Sequence, residues 1–331
     1  MLTVLNDVHI GAERAAGTTK ATRQRLKDRL ITKFSHLLPV EGDLMILGDL
    51  FDKFNISGRD MLGAYKELSV WLSRTEGRLF LVAGNHDLSK SSEVYSSFDL
   101  LCAILTDMHG ERVVTVKQPM MTDYGYVIPH LPNQEAFDAA LAKVPQCEYL
   151  FLHCNYDNFF ATHSDQSLNI SKEQVAAVPA KTIVIAHEHQ TKLEGKVVIP
   201  GNQIASSVSD WLHADTKKFV QIGSDGLTLT DCATAAEEFT ELDWKHLVDV
   251  TAPFVRVTGE ATAAQAAEVV SALAKFREVS SSLVITNAVK IATASTTEEA
   301  VSLEGVRSYN IWDTLARLLT PADFQVLKDL Q

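Results

Sequence analysis

The sequence predicts a layered α/β fold, because short apolar runs alternate with helix-length stretches over roughly the first 190 residues and because each run ends in a cluster of Asp, Asn or His. Composition agrees with a folded globular chain of one large domain or two ordinary ones: 331 residues, 46% hydrophobic and 22% charged, with only 9 Pro and 16 Gly. Taken in order, Thr3–Asn6, Leu44–Leu47, Leu79–Val82, Tyr149–Leu152 and Thr182–Ile185 read as buried strands. Helical periodicity occupies 20–37, 58–74 and 133–143 between them. The strands end in Asp7-Val8-His9, Gly48-Asp49-Leu50-Phe51-Asp52, Gly84-Asn85-His86-Asp87, His153 and His187-Glu188-His189. Ligands of open α/β sheets sit beyond the carboxyl ends of the strands, so five such ends predict one shared site.

From about residue 192 the pattern changes to short alternating strands. Phe219–Ile222 and Leu227–Leu229 flank Ser224-Asp225-Gly226 and read as a hairpin. The polar stretch Ala233–Asp243 reads as a linker. Phe254–Val257, an Ala-rich helix over 261–276 and Ser282–Ile285 form a small β-α-β unit, and Thr293–Glu299 reads as a loop. Two helices close the chain, at 308–319 and 321–330, the second opened by Thr320 as N-cap with Pro321 in the first helical position. The expected divisions are 1–232, 243–295 and 296–331.

No apolar run reaches the ~20 residues of a membrane span, and the first residues lack the basic and apolar regions of a signal peptide. Four cysteines without a CxxC pair suit a reducing, cytoplasmic setting. The net charge of -12 argues against a protein that coats nucleic acid electrostatically. An enzyme acting on nucleic acid stays open, because metal sites need acids and because Arg14–Lys33 holds seven Lys/Arg against the single acid Asp28.

Carboxylates and imidazoles converging from several elements are the donors that hard and borderline divalent ions require. Paired ions also need a carboxylate that spans ~3.5–4 Å between them. His153 alone, or His187-Glu188-His189 alone, fits a structural or solvated role equally well. Five clusters in this order point to a metal centre. The series resembles the calcineurin-like metallophosphoesterase superfamily over roughly residues 1–230. That resemblance implies a four-layer α/β/β/α sandwich with two divalent cations at its strand ends. It places Asp7, His9 and His189 on the first cation, Asn85, His153 and His187 on the second, and Asp49 between the two. It makes His86 the catalytic histidine and Asp52 the acid that orients it. The implied chemistry is phosphoester hydrolysis: the cations activate a water, and His86 stabilises the transition state or protonates the leaving oxygen. The donor set favours Mn²⁺, with Mg²⁺ or Fe as alternatives. Ala186 departs from the family pattern, where the last motif starts with Gly.

Asp52 is followed by Lys53-Phe54-Asn55 and not by the Arg-Gly of protein phosphatases. The motifs Asn6-Asp7-Val8-His9-Ile10-Gly11, Gly48–Asp52 and Gly84–Asp87, followed by a small β-α-β unit and a helical tail, are similar to the DNA-repair nuclease branch. That branch includes the SbcD-type exonuclease subunit and the phage recombination endonuclease subunit. It implies a homodimer that degrades DNA ends 3′→5′, nicks single strands or hairpins, and works with an SbcC-type ABC ATPase bearing a coiled coil. It also implies that the β-α-β unit is a DNA-binding cap.

Lys20, Arg23 and Lys27 share one helix face and read either as DNA-phosphate contacts or as a solvated surface. Met61, Leu62, Leu68 and Trp71 fit a dimer face or the chain's own core. The tail stripe Ile311, Leu315, Leu318, Leu319, Phe324 and Leu327 fits docking on the ATPase or internal packing. Tyr156, Phe159 and Phe160 fit base stacking or core closure. The competing function is a stand-alone small-molecule phosphodiesterase or phosphatase; a structural subunit with a decayed site is the non-enzyme alternative.

Overall fold

Residue alternation along the strands sorts the chain into layers. The computed structural model describes residues 1–13, 20–89, 94–158, 167–205, 210, 217–232 and 239–292. Its strands are β1 (Leu2–Leu5), β2 (Asp43–Leu47), β3 (Leu79–Val82), β4 (Val113–Val116), β5 (Met120–Thr122), β6 (Gly125–Ile128), β7 (Cys147–His153), β8 (Asn155–Tyr156), β9 (Asn169–Ile170) and β10 (Ala180–Ala186). They continue with β11 (Lys192–Glu194), β12 (Val197–Ile199), β13 (Lys218–Gly223), β14 (Gly226–Asp231), β15 (Phe239–Asp243), β16 (Phe254–Thr258), β17 (Glu260–Thr262), β18 (Val284–Asn287) and β19 (Lys290–Ala292). The α-helices are α1 (Lys20–Leu37), α2 (Gly58–Arg74), α3 (Ser97–His109), α4 (Gln134–Leu141), α5 (Lys172–Ala177) and α6 (Ala266–Val279).

Two six-stranded sheets carry the fold, ordered β14-β13-β1-β2-β3-β4 and β11-β12-β10-β7-β6-β5. Between them, Leu2, Val4, Met45, Leu47, Phe80 and Val82 pack against Tyr149, Phe151, Val184 and Ala186. The alternate residues Leu5, Ile46 and Leu81 pack on the other side, with Phe34 of α1, Leu68 and Trp71 of α2 and Leu101 of α3. Likewise Leu150, Leu152, Ile183 and Ile185 meet Phe137 and Leu141 of α4 and Val175 of α5. Strand period 2 thus produces helix, sheet, sheet and helix layers.

The helix starts have local causes. Ser57 caps α2 by accepting from the Asp60 N–H, and Ser96 with Asp99 forms a capping box on α3. Both α1 and α2 fall where periodicity places them, whereas α3 and β4–β6 fill a stretch to which the sequence assigns no element. Leu68 and Trp71 lie in the chain's own core, while Leu62 is 46% exposed.

Phe239–Asp243, expected to be linker, forms a strand: β15, β16 and β18 pair in parallel. Phe239 and Leu242 pack into neighbouring apolar clusters, which outweighs the acidic flanks. The helix expected from 261 begins at 266, because Glu260–Thr262 pairs with Lys290–Ala292. In this second module α6 lays Val269, Leu273 and Phe276 on Val255, Val257 and Ile285. Leu26 of α1 and Ala205 pack with Phe254 and Val284, so the module rests beside α1. Arg14, Phe159, Phe160, the 293–299 loop and both tail helices lie outside the described residues. No helix among the described residues is long and apolar enough to cross a membrane.

Phe151 is fully buried between the sheets, so Phe151→Ala is expected to lower the unfolding free energy by about 3–5 kcal/mol. Urea denaturation should show a lower midpoint at unchanged slope.

Candidate metal centre and active site

Register brings the polar clusters together. In the first sheet Leu5 lies opposite Ile46 and Leu47 opposite Val82, so Asp7, Asp49 and Asn85 leave neighbouring strand ends. In the second, Ala186 lies opposite His153, which sets His187 beside it. Main-chain bonds lock the loops: Asp7 N–H donates to Gly48 O at 3.2 Å, His9 N–H to Asp49 O at 3.0 Å, and His187 N–H to the Asp7 carboxylate at 3.0 Å. Asp7, His9, Asp49 and His187 have φ of 51°, 51°, 49° and 91°. Side chains rarely adopt this left-handed region, and such residues cluster at functional sites.

Two donor groups result, Asp7 with His9 and His189, and Asp49 with His153 and His187; within each group the ligand atoms lie within 4.8 Å of one another. The Asp49 carboxylate faces both: Oδ2 is 3.9 Å from His9 Nε2 and Oδ1 is 3.4 Å from His153 Nε2. Asn85 Oδ1 lies 3.0 Å from His153 Nε2. All seven side chains expected at the site are therefore in one place.

Hydrogen bonds fix which ring nitrogen faces inward. The Leu47 carbonyl only accepts, so His153 donates to it from Nδ1 at 3.1 Å and a neutral ring turns its Nε2 lone pair toward Asn85 and Asp49. His189 donates from Nδ1 to Asp210 at 2.8 Å, which directs its Nε2 to His9 Nε2, 3.1 Å away. Asp7 Oδ1 is buried without a hydrogen-bond partner. The His153 lone pair facing the Asn85 and Asp49 oxygens, and the bare Asp7 oxygen, call for a positive charge at each group. Before a cation binds, a proton serves at the second group. Burial disfavours the His153 imidazolium, but the Asp49 carboxylate overrides it and raises the pKa to about 9. The donors fit divalent cations of mixed O/N preference: Asp7, His9 and His189 would hold one and Asn85, His153 and His187 a second, with Asp49 turned to both groups, and such ions would supply Lewis acidity there.

His86 stands at the edge of the first group, its ring 5.1 Å from that of His9. Its N–H donates to Asp49 Oδ1 at 2.9 Å, and its Nδ1 donates to the main-chain carbonyl of Asp52 at 2.6 Å. That second bond leaves Nε2 open to hold or pass a proton. The orienting contact on His86 is thus a peptide carbonyl; the Asp52 carboxylate instead lies 3.6 Å from His9 Nδ1. Ala186 is fully buried between the sheets, and its methyl fits there. Cys154 is 1% exposed, and burial pushes its thiol well above the ordinary range, which suits packing and not nucleophilic attack.

A supporting layer carries no sequence signature. Asp210 and Asn202 are buried and bonded at 3.1 Å, and Asn202 accepts from Lys217 at 2.6 Å. Lys217, fully buried, also donates to the His189 carbonyl, and burial lowers its pKa to about 8. Asn6 donates to Asp7 at 2.7 Å and is held by Gln203. Asp87 accepts from Gly84, Leu50 and Phe51 N–H groups and so ties two ligand loops together.

Residues 1–191 match the family described as calcineurin-like phosphoesterase, and the chain belongs to that family. Its members use divalent metals to hydrolyse phosphoesters, and this chain carries two groups of donors able to hold such ions. No curated protein matches it. Among solved structures, the nuclease MPE of Pseudomonas putida is similar over 46% of this chain and 60% of its own, at 22% identity and a TM-score of 0.24. The chain thus spans less than two thirds of that structure.

Carboxylates that hold a ligating imidazole are worth roughly 10–100-fold in metal affinity. Asp210→Ala is expected to weaken one of two cation-binding steps by that factor and spare the other, as read by calorimetric Mn²⁺ titration.

Proposed function

We propose that the chain is a two-metal DNA nuclease, active as a 3′→5′ exonuclease and single-strand endonuclease with Mn²⁺ as its cation. The observation that carries the phosphodiesterase part is the Asp49 carboxylate turned to two separate histidine groups with His86 beside it. Charge at the rim favours a nucleic-acid substrate. Lys20 and Arg23 are exposed on α1. Arg23 and Lys53 both lie in electrostatic reach of Glu13, and Lys53 is the exposed residue directly after Asp52. Phe54 follows it at 43% exposure and offers a face for stacking a base. Lys27 is engaged elsewhere, 2.6 Å from Glu13 and 3.0 Å from Asp60, with its side chain 11% exposed. The DNA-facing set therefore narrows to Lys20 and Arg23, joined by Lys53.

Leu62 and Val70 on α2 and Leu100 and Met108 on α3 are exposed apolar residues, which suits pairing of two copies through these helices. The nuclease resemblance adds a cytoplasmic role in recombination or break processing, a DNA-binding cap at 243–295 and an SbcC-type ABC ATPase docked on the tail.

The test is digestion of end-labelled duplex and hairpin DNA in Mn²⁺. Cleavage is expected to vanish in EDTA. His86→Ala should slow it about 10²–10⁴-fold, the usual worth of a general acid, with both cations retained by mass spectrometry. Asp49→Ala should lose cations as well. Turnover of small phosphodiesters with none of DNA, even with the ATPase added, would replace the nuclease with the small-molecule enzyme.

A further inference from the structure

His130 belongs to none of the five sequence clusters, yet the fold delivers it to the same place. It follows β6 by two residues, and β6 runs parallel to β7 with Ile128 opposite Leu152, so the next positions flank His153. Pro129 precedes it and has no N–H to extend the ladder. The His130 N–H leaves its own sheet and donates to Ala83 O at 2.9 Å, directly before Gly84-Asn85-His86 at the end of β3. The residue is thereby fastened to the strand ends of both sheets. Its half-buried imidazole lies in electrostatic reach of His153, Asp49, His187 and His86. An imidazole carries at least one ring N–H donor.

We infer that His130 is a substrate-contacting residue, its imidazole donating a hydrogen bond to a non-bridging oxygen of the phosphoester beside His153. This rests on the phosphodiesterase reading and adds a phosphate donor to it. An N–H donor suits that place, because it orients the phosphate from beside the groups that hold the cations. It also leaves proton transfer to His86.

The test compares His130→Ala and His130→Gln with the parent protein loaded with Mn²⁺. Three quantities are read: cations per chain by mass spectrometry, affinity for inorganic phosphate by calorimetry, and kcat and KM on bis(p-nitrophenyl) phosphate. With the cation count unchanged, the alanine variant is expected to bind phosphate and turn over the diester roughly 10–100-fold less well, the worth of one hydrogen bond to a charged group. The glutamine variant, which keeps a donor, should recover part of both. Phosphate affinity within twofold of the parent, or loss of a cation from the glutamine variant, overturns the assignment. If the parent hydrolyses no diester, the phosphodiesterase reading fails by itself, and the phosphate titration still decides whether His130 contacts the anion.

Discussion

The Asp49 carboxylate sits in a space that only a glycine leaves open, and the whole centre is arranged around it. A Cβ on Gly84 would lie 2.1 Å from Asp49 Oδ1 and 2.3 Å from its main-chain nitrogen. A Cβ on Gly48 would lie 2.0 Å from His153 Nδ1. These two absent methyl groups let loops from both sheets approach until one carboxylate can serve histidines from each. The glycines of Gly48-Asp49 and Gly84-Asn85-His86 therefore shape the centre through the side chains they lack. Asp87 then closes the gap from behind with three main-chain bonds.

A second layer of polar groups keeps the ligands aimed. Asp210, Asn202 and Lys217 form a buried chain ending on both the ring and the carbonyl of His189. Burying a lysine and an aspartate is costly unless each is bonded. Here every partner is supplied from residues that already surround the site. Asn6 and Gln203 do the same for Asp7. Asp7 and His189 are thus aimed by groups that lie behind them.

Much of the catalytic half was legible in the sequence because strand ends announce themselves: an apolar run stops and a carboxylate or imidazole follows. The spans of α1 and α2 were equally plain, since each buries one stripe on the sheet. Residues that act through burial were not legible. Nothing near Lys217 distinguishes it from an exposed lysine, which is the ordinary state of that residue. Asp210 lies far from its partner His189 in a stretch without a motif. His130 ends a strand, β6, that apolar runs did not reveal. Lys27 looked like a surface cation because its partners Glu13 and Asp60 lie on other elements. β15 was hidden because its two apolar residues sit among acids, and only the neighbouring strands give them something to cover.

The left-handed dihedrals at Asp7, His9, Asp49 and His187 have a consequence beyond the loops themselves. Each unusual angle costs on the order of 1–3 kcal/mol, and hydrophobic burial in the layers behind is what sustains it. The loops that carry the donor groups are consequently held by the layers behind them, so a cavity cut into that packing would loosen the ligand geometry from a distance.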